Sequence, residues 1–138
     1  MAWSSNELIV INLEAEMSEL ALIIEDDEDL ANIFSEALRS GGFEVEHIAD
    51  GRLAQQRLKN GNAPFIILLD MHLPYISGAD LLTIIKGDEK FSKTMTLITT
   101  ADALMGNMYR DQVDFVLVKP ISFVQLRDLT RRLKPTSQ

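Results

Sequence analysis

The chain has 138 residues, of which 46% are hydrophobic and 25% charged, and its formal net charge is −8. This composition indicates one globular domain with a proper core, and the excess of acid disfavours a nucleic-acid partner. The chain contains no cysteine, which excludes disulfides, thiol nucleophiles and thiolate metal sites. Because no apolar run suits a membrane helix and the first residues are acidic where a signal peptide is basic, we expect a cytoplasmic protein without a membrane partner.

Strand and helix patterns alternate from residue 19 to residue 134. Short apolar runs predict strands at 21–24, 43–48, 65–69, 96–99 and 115–118. Apolar residues at helical spacing predict helices from 30 to the glycines at 41–42, and at 51–60, 79–86, 103–112 and 123–133. Five β/α units favour a doubly wound α/β fold with a parallel sheet, although this pattern alone leaves the strand order open. Residues 1–18 are interpreted as an N-terminal extension and residues 135–138 as a C-terminal tail.

Chemically active side chains follow the carboxyl ends of four predicted strands. They are Glu25, Asp26 and Asp27 after the first strand, Asp70 after the third, Thr100 after the fourth and Lys119 after the fifth. In an open parallel α/β sheet, ligands bind at the carboxyl ends of the strands. Carboxylates, a hydroxyl and an ammonium brought together there indicate a site for a divalent metal ion and a phosphoryl group.

The three consecutive acids after the first strand repel one another, so a cation must offset their charge if they pack beside a buried strand. Mg²⁺ suits two or three carboxylates together with water and a phosphate group. We assign Glu25 and Asp26 to the metal. Asp27 is interpreted as the N-cap of the following helix, where a carboxylate accepts main-chain N–H groups.

Asp70 is the candidate nucleophile, because a carboxylate can attack phosphorus and form an acyl phosphate. Lys119 and the metal would then neutralise the oxygens of the transferred group, and the Thr100 hydroxyl would bond one of them. Simpler interpretations stay open: a turn residue for Asp70, a β-favouring residue for Thr100 and a plain turn for Lys119-Pro120. That X–Pro bond is a candidate for the cis form.

Two histidines receive no metal-ligand role for their side chains. His72 lies two residues after Asp70, so we expect its side chain to overhang the pocket. His47 lies on the second strand and is interpreted as an edge or surface residue. No glycine-rich phosphate loop and no Ser/His/Asp set is present, which leaves nucleotide hydrolysis and acyl transfer without support.

Four segments of the chain resemble the motifs of the response-regulator receiver domain of bacterial two-component signalling. LIIEDDEDL is similar to the acidic motif of the first strand and LLDMHLPYISG to the phosphoacceptor segment. ITTADA is similar to the Thr/Ser-Ala switch motif, and VLVKPIS to the Lys-Pro motif. The resemblance extends over residues 20–133.

The resemblance implies a flavodoxin-like, five-stranded sheet in the order 2-1-3-4-5, an order for which a receiver protein is a known example. It implies that a phosphohistidine on a sensor histidine kinase or phosphotransfer protein phosphorylates Asp70. Mg²⁺ would be held by Glu25, Asp26, Asp70 and the main-chain carbonyl of His72. Asp70, Thr100 and Lys119 would carry out a self-catalysed transfer, so that the protein is a signalling phosphoacceptor and not a conventional enzyme.

One position departs from the family pattern of the aromatic switch residue. Receivers usually carry Tyr or Phe three residues before the Lys, and this chain has Val116 there. The neighbouring Phe115 points to the opposite face of the strand.

Two alternatives to a phosphoaccepting receiver stay open. One alternative is a pseudo-receiver, an interaction module that phosphorylation does not regulate, and the complete set of phosphoacceptor residues argues against it. The other is an aspartyl-phosphate phosphatase, which the histidine at position 72 disfavours because such enzymes typically have a second acid there.

The fourth predicted helix is apolar over more than one face. Leu104 and Met108 share one stripe, Met105 and Tyr109 share the next, and one face packed on a sheet needs only a stripe about 100° wide. We therefore expect part of this helix to be exposed and available to a downstream protein target. The expected output surface comprises this helix, the fifth strand and the last helix, and a homodimer through the same elements is possible.

Overall fold

A computed structural model describes residues 19–134. The interpreted extension, residues 1–18, and the interpreted tail, residues 135–138, lie outside the described residues. The strands are β1 (Leu20–Ile24), β2 (Glu44–Ile48), β3 (Ile66–Asp70), β4 (Met95–Thr100) and β5 (Phe115–Val118), and the helices are α1 (Glu28–Ser40), α2 (Gly51–Asn60), α3 (Gly78–Lys86), α4 (Ala103–Met108) and α5 (Phe123–Leu133). The strands form one sheet in the order β2-β1-β3-β4-β5, and every neighbouring pair is parallel. The predicted doubly wound fold and its strand order are confirmed.

The sheet separates two hydrophobic clusters, because successive side chains of a strand point to opposite faces. Leu22 and Ile24 of β1 pack with the buried residues of α2 and α3. Ala21 and Ile23 pack on the other face with α1 and with Leu126 of α5. The central strand β3 is buried along its whole length, as its continuous apolar sequence predicts for a parallel strand covered on both faces.

Each helix begins at a residue whose side chain accepts a main-chain N–H group. These N-caps are Asp27, Asp50, Ser77, Asp102 and Ser122. Asp27 accepts from the Leu30 amide at 3.0 Å, which confirms its predicted capping role. Across residues 19–134, none of these helices combines the length and the apolar character that a membrane span requires.

The fourth helix is shorter than predicted. Its α-helical part ends at Met108, and a 3₁₀ turn follows at Arg110–Gln112. The Tyr109 amide donates to the Gly106 carbonyl at 3.1 Å, a bond three residues back that tightens the last turn. Gly106 and Asn107 are weak helix formers, so little intrinsic preference opposes this early end.

Gly106 allows α4 to approach the sheet closely. A Cβ atom at this position would lie 2.7 Å from Val116 Cγ1 and 3.2 Å from Thr100 Cγ2. Both neighbours are short β-branched side chains that cannot swing aside easily. The close packing of α4 on Val116 and Thr100 therefore requires a glycine at position 106. This requirement is separate from the effect of glycine on helix propensity.

We expect Gly106→Ala to lower the free energy of unfolding, measured by urea denaturation. Overpacking costs about 1–3 kcal/mol, which outweighs the gain of about 1 kcal/mol in helix propensity. The matched control is the double variant Gly106→Ala/Val116→Ala, in which the clashing methyl groups are absent. The double variant should be less destabilised than the sum of the two single variants, since residues in contact are coupled. Additive effects would contradict this explanation of the glycine.

Candidate functional site

The residues that follow four of the strands come together at the carboxyl ends of the parallel sheet. Asp70 is the last residue of β3 and lies opposite Thr99 of β4. The next amide, that of Met71, donates to the Thr99 carbonyl at 3.0 Å. The Lys119 amide likewise donates to the Thr100 carbonyl at 2.8 Å. Main-chain pairing past the strand ends therefore places Asp70, Thr100 and Lys119 side by side.

Glu25, Asp26 and Asp70 form an acidic cluster in this site. Glu25 and Asp70 are buried, whereas Asp26 is exposed. One carboxylate oxygen from each of the three lies within 4.8 Å of the other two. Burial raises the pKa of the Glu25 carboxyl, and the neighbouring Asp70 carboxylate raises it further, while Lys119 acts in the opposite direction. Three oxygen ligands that repel one another, one of them open to solvent, fit a hard divalent cation such as Mg²⁺.

Lys119 is the cation that the described chain itself supplies to this cluster. Its Nζ lies 3.0 Å from Glu25 Oε1 and 3.5 Å from Asp70 Oδ1. Burial acts to lower the pKa of Lys119, but the two carboxylates together outweigh burial and the pKa is raised. The side chain is therefore an ammonium at neutral pH. The Lys119–Pro120 peptide bond is cis, as the sequence indicated.

Asp70 is held in place by the loop that follows it. The His72 amide donates to Asp70 Oδ1 at 3.0 Å, and the carboxylate is only 3% exposed. A main-chain N–H group thus fixes the orientation of this buried carboxylate, and carboxylates are groups that can attack phosphorus.

The Thr100 hydroxyl is buried behind this loop. It accepts the Asp102 amide at 3.0 Å and lies 3.1 Å from His72 Nε2. The Sδ atom of Met105 is 3.7 Å away on the side of α4. The sequence predicts that the His72 side chain overhangs the pocket, but its contact with Thr100 was not predicted.

His47 is a second contact that the sequence interpretation missed. It lies exposed on β2, the edge strand, as predicted, and its Nε2 is 2.7 Å from the Glu25 carbonyl oxygen. The parallel register of β1 and β2 places His47 opposite Ile23, two residues before Glu25. Only that register, which the residue pattern does not contain, could have indicated the contact.

Comparison with known proteins identifies the same fold and family. The family model described as "Response regulator receiver domain" matches residues 21–131. A probable methanogenesis regulatory protein, FilR2 of Methanothrix harundinacea, is 30% identical over 132 residues, which is 88% of this chain and 85% of that protein. The polar-differentiation response regulator DivK of Brucella ovis is 28% identical over 109 residues, 77% of this chain and 88% of that one.

A solved structure agrees with the sequence relatives. The receiver domain of sensor histidine kinase PA1611 from Pseudomonas aeruginosa, which has a magnesium ion coordinated in its active-site cleft, superposes with a TM-score of 0.72. It is 24% identical and the match covers 86% of this chain and 99% of that one. This structural match agrees with the fold, and the family model together with the 30% identical relative shows that the chain belongs to the response regulator receiver domain family.

Proposed function

We propose that this chain is a phosphoaccepting receiver in which Asp70 takes a phosphoryl group from a phosphohistidine on a sensor histidine kinase or phosphotransfer protein. Receiver domains are signalling phosphoacceptors and not enzymes that turn over a separate substrate. The observation that carries the proposal is the buried Asp70 carboxylate, which lies close to a second acidic residue, Glu25, and shares the ammonium of Lys119 with it.

In the proposed transfer, an oxygen of the Asp70 carboxylate forms a bond to phosphorus. The bond between phosphorus and the donor histidine nitrogen breaks, and its electron pair stays on that nitrogen. Lys119 would remain protonated and stabilise negative charge on the phosphoryl oxygens. The Thr100 hydroxyl would donate to one of these oxygens. Hydrolysis of the acyl phosphate would later return Asp70 to a carboxylate.

The same proposal includes Mg²⁺ as cofactor. The residues that would hold it are Glu25, Asp26, Asp70 and, through its main-chain carbonyl, His72. When bound, the ion supplies positive charge that neutralises the phosphoryl oxygens. The three carboxylates already lie close enough to share one ion, and the PA1611 receiver, of the same fold, holds magnesium in its active-site cleft.

The test of this function is incubation with acetyl phosphate and Mg²⁺, followed by measurement of the intact mass. In this case the bond that breaks joins phosphorus to the acetyl oxygen. We expect a stoichiometric gain of one phosphoryl group that requires Mg²⁺. No gain under conditions that label a known receiver would favour the pseudo-receiver, an interaction module outside phosphorylation control.

The proposed receiver domain spans residues 19–134, slightly beyond the matched residues 21–131. Its proposed location is the cytoplasm. Residues 1–18 and 135–138 are proposed to be an extension and a tail that the phosphoacceptor site does not need. All residues of the site lie between Glu25 and Lys119, so removal of either end would leave every proposed functional group in place.

The proposed output surface comprises α4, β5 and α5. Leu104 and Met108 of α4 are 79% and 75% exposed, whereas Met105 and Tyr109 of the neighbouring stripe pack against the core. Val118 of β5 is also exposed. Exposed apolar side chains on adjoining elements suit a protein partner. The proposed partner is a downstream protein target or, in a homodimer, a second copy of the chain.

Amide hydrogen exchange with and without beryllofluoride, which mimics the phosphoryl group, tests this output surface. Movement of Thr100 toward the mimic would disturb the α4 contacts at Gly106 and Met105 and shift the population of two arrangements. We therefore expect the largest exchange differences over residues 101–118. Differences confined to α1 and α2 would place the output surface elsewhere on the domain.

A further inference from the structure

The side chain of His72 covers the Thr100 hydroxyl. His72 is exposed to solvent, whereas Thr100 has no exposed surface, and His72 Nε2 lies 3.1 Å from Thr100 Oγ1. This distance is that of a hydrogen bond between an imidazole nitrogen and a hydroxyl group. Either group can donate in that bond, because a neutral imidazole carries its proton on one of two nitrogens.

The Thr100 hydroxyl has one close acceptor for its proton in this arrangement, His72 Nε2. Thr100 Oγ1 accepts the Asp102 amide at 3.0 Å. The alternative acceptors for its own proton are less favourable, with the Asp102 carbonyl at 3.4 Å and Met105 Sδ at 3.7 Å. A hydroxyl has only one proton to donate. His72 Nε2 is the nearest acceptor for that proton, so we assign Thr100 as the donor in this bond. While the bond lasts, Thr100 cannot donate to a phosphoryl oxygen on Asp70.

His72 is connected to both groups that phosphorylation would change. Its amide donates to Asp70 Oδ1 at 3.0 Å, and its side chain contacts Thr100 on the next strand. A new bond at the Asp70 carboxylate would change the group to which the His72 amide donates. His72 is therefore linked to the phosphorylated residue through its main chain and to Thr100 through its ring.

Val116 occupies the position that carries an aromatic ring in most receivers, and it offers no comparable contact to the Thr100 hydroxyl. Val116 packs against the core beside Gly106, and a Cβ atom on Gly106 would lie 2.7 Å from it. A β-branched side chain packed this closely on a strand has little rotamer freedom. Within residues 19–134, the side chains of His72 and Met105 contact Thr100 Oγ1, and of these two His72 is the one that can share a proton.

We infer that His72 is a positioning residue that holds Thr100 in the resting arrangement through Nε2 and releases it when Asp70 is phosphorylated. The inference rests on the proposed function of Asp70 as phosphoacceptor. It gives the imidazole a role in the conformational equilibrium of the domain, separate from any effect of its bulk on the access of water. The resting arrangement would be favoured by the hydrogen bond, so removing that bond should make the activated arrangement easier to reach.

The experiment is a titration with beryllofluoride in the presence of Mg²⁺ at constant pH, followed by NMR. The variants are His72→Ala, His72→Phe, Thr100→Val and His72→Ala/Thr100→Val. We expect His72→Ala to lower the apparent dissociation constant about two- to tenfold, the change that corresponds to one net hydrogen bond. His72→Phe keeps a ring without nitrogen and should shift the constant in the same direction. In the Thr100→Val background, His72→Ala should have no effect.

A second measurement tests the bond in the unphosphorylated protein. Thr100→Val should change the ring chemical shifts of His72 in the absence of beryllofluoride, because valine cannot share a proton with Nε2. Unchanged shifts would overturn the inference. The inference would also be overturned if His72→Phe bound beryllofluoride like the wild type while His72→Ala bound it more tightly. The same holds if His72→Ala still changed the dissociation constant in the Thr100→Val background. A wild-type chain that binds no beryllofluoride would contradict the phosphoacceptor role itself, whereas equal binding by wild type and both His72 variants would overturn the role of His72 alone.

Discussion

Replacement of Asp70 by asparagine is expected to abolish the phosphoryl group that the wild-type chain gains from acetyl phosphate. An amide oxygen is a poor nucleophile toward phosphorus, whereas a carboxylate forms an acyl phosphate. The fold should survive, because the asparagine carbonyl can still accept the His72 amide that now donates to Asp70 Oδ1. The variant also removes one charge from a cluster of three close carboxylates, so a loss of labelling would not reflect unfolding.

Intact-mass measurement of the variant beside the wild type checks this expectation. The matched control is Asp80→Asn, an exposed aspartate in the first turn of α3 outside the acidic cluster. This control should be labelled to the wild-type extent. Equal labelling of Asp70→Asn and the wild type would show that another residue accepts the group. Circular dichroism of all three proteins verifies that each is folded.

The helices and strands were predictable because the residues at and near their boundaries determine where they begin and end. Apolar runs mark the strands, and helix ends coincide with residues such as Gly41 and Gly61. The strand order was not predictable from these patterns. It followed from the resemblance of four motifs to a known family, since many orders are compatible with five β/α units.

The composition of the site was predictable, but its side-chain contacts were not. Parallel strands end at one edge of a sheet, so residues after those ends meet there. The bonds from His72 to Thr100 and from His47 to the Glu25 carbonyl depend on rotamers and register. The pattern of residues along one sequence contains neither the rotamer of a side chain nor the register of two strands.

Two features of the loops show the same limit. Tyr75 adopts a φ of 69°. The centroid of its ring lies 4.4 Å from the guanidinium carbon of Arg52. A bulky residue rarely takes this conformation, and nothing in the local sequence indicates it. Gly106 suggests only a weak helix, whereas the structure assigns it a close approach to Val116. Both are consequences of tertiary packing that override local preference.

Removal of the Lys119 charge is expected to destabilise the metal-free domain. The Lys119 side chain is 20% exposed and contacts two carboxylates that are almost fully buried. In Lys119→Met, Glu25 and Asp70 would face each other without a cation. Leaving such groups without their partner costs about 1–3 kcal/mol or more. Solvent access at the exposed Asp26 favours a value within that range, and urea unfolding in the presence of a chelator measures it.

Added Mg²⁺ should recover more unfolding free energy in Lys119→Met than in the wild type. A ligand that binds only the folded state stabilises it more when it binds more tightly, and the ammonium that competes for Glu25 is absent from the variant. Lys119→Arg, which keeps the charge, should lose less stability, and Lys86→Met, an exposed lysine at the end of α3, should lose little. If Lys119→Met and Lys86→Met unfold at the same urea concentration without metal, the ammonium does not hold the acidic cluster together. If Mg²⁺ stabilises both equally, the ion and Lys119 do not share the same carboxylates.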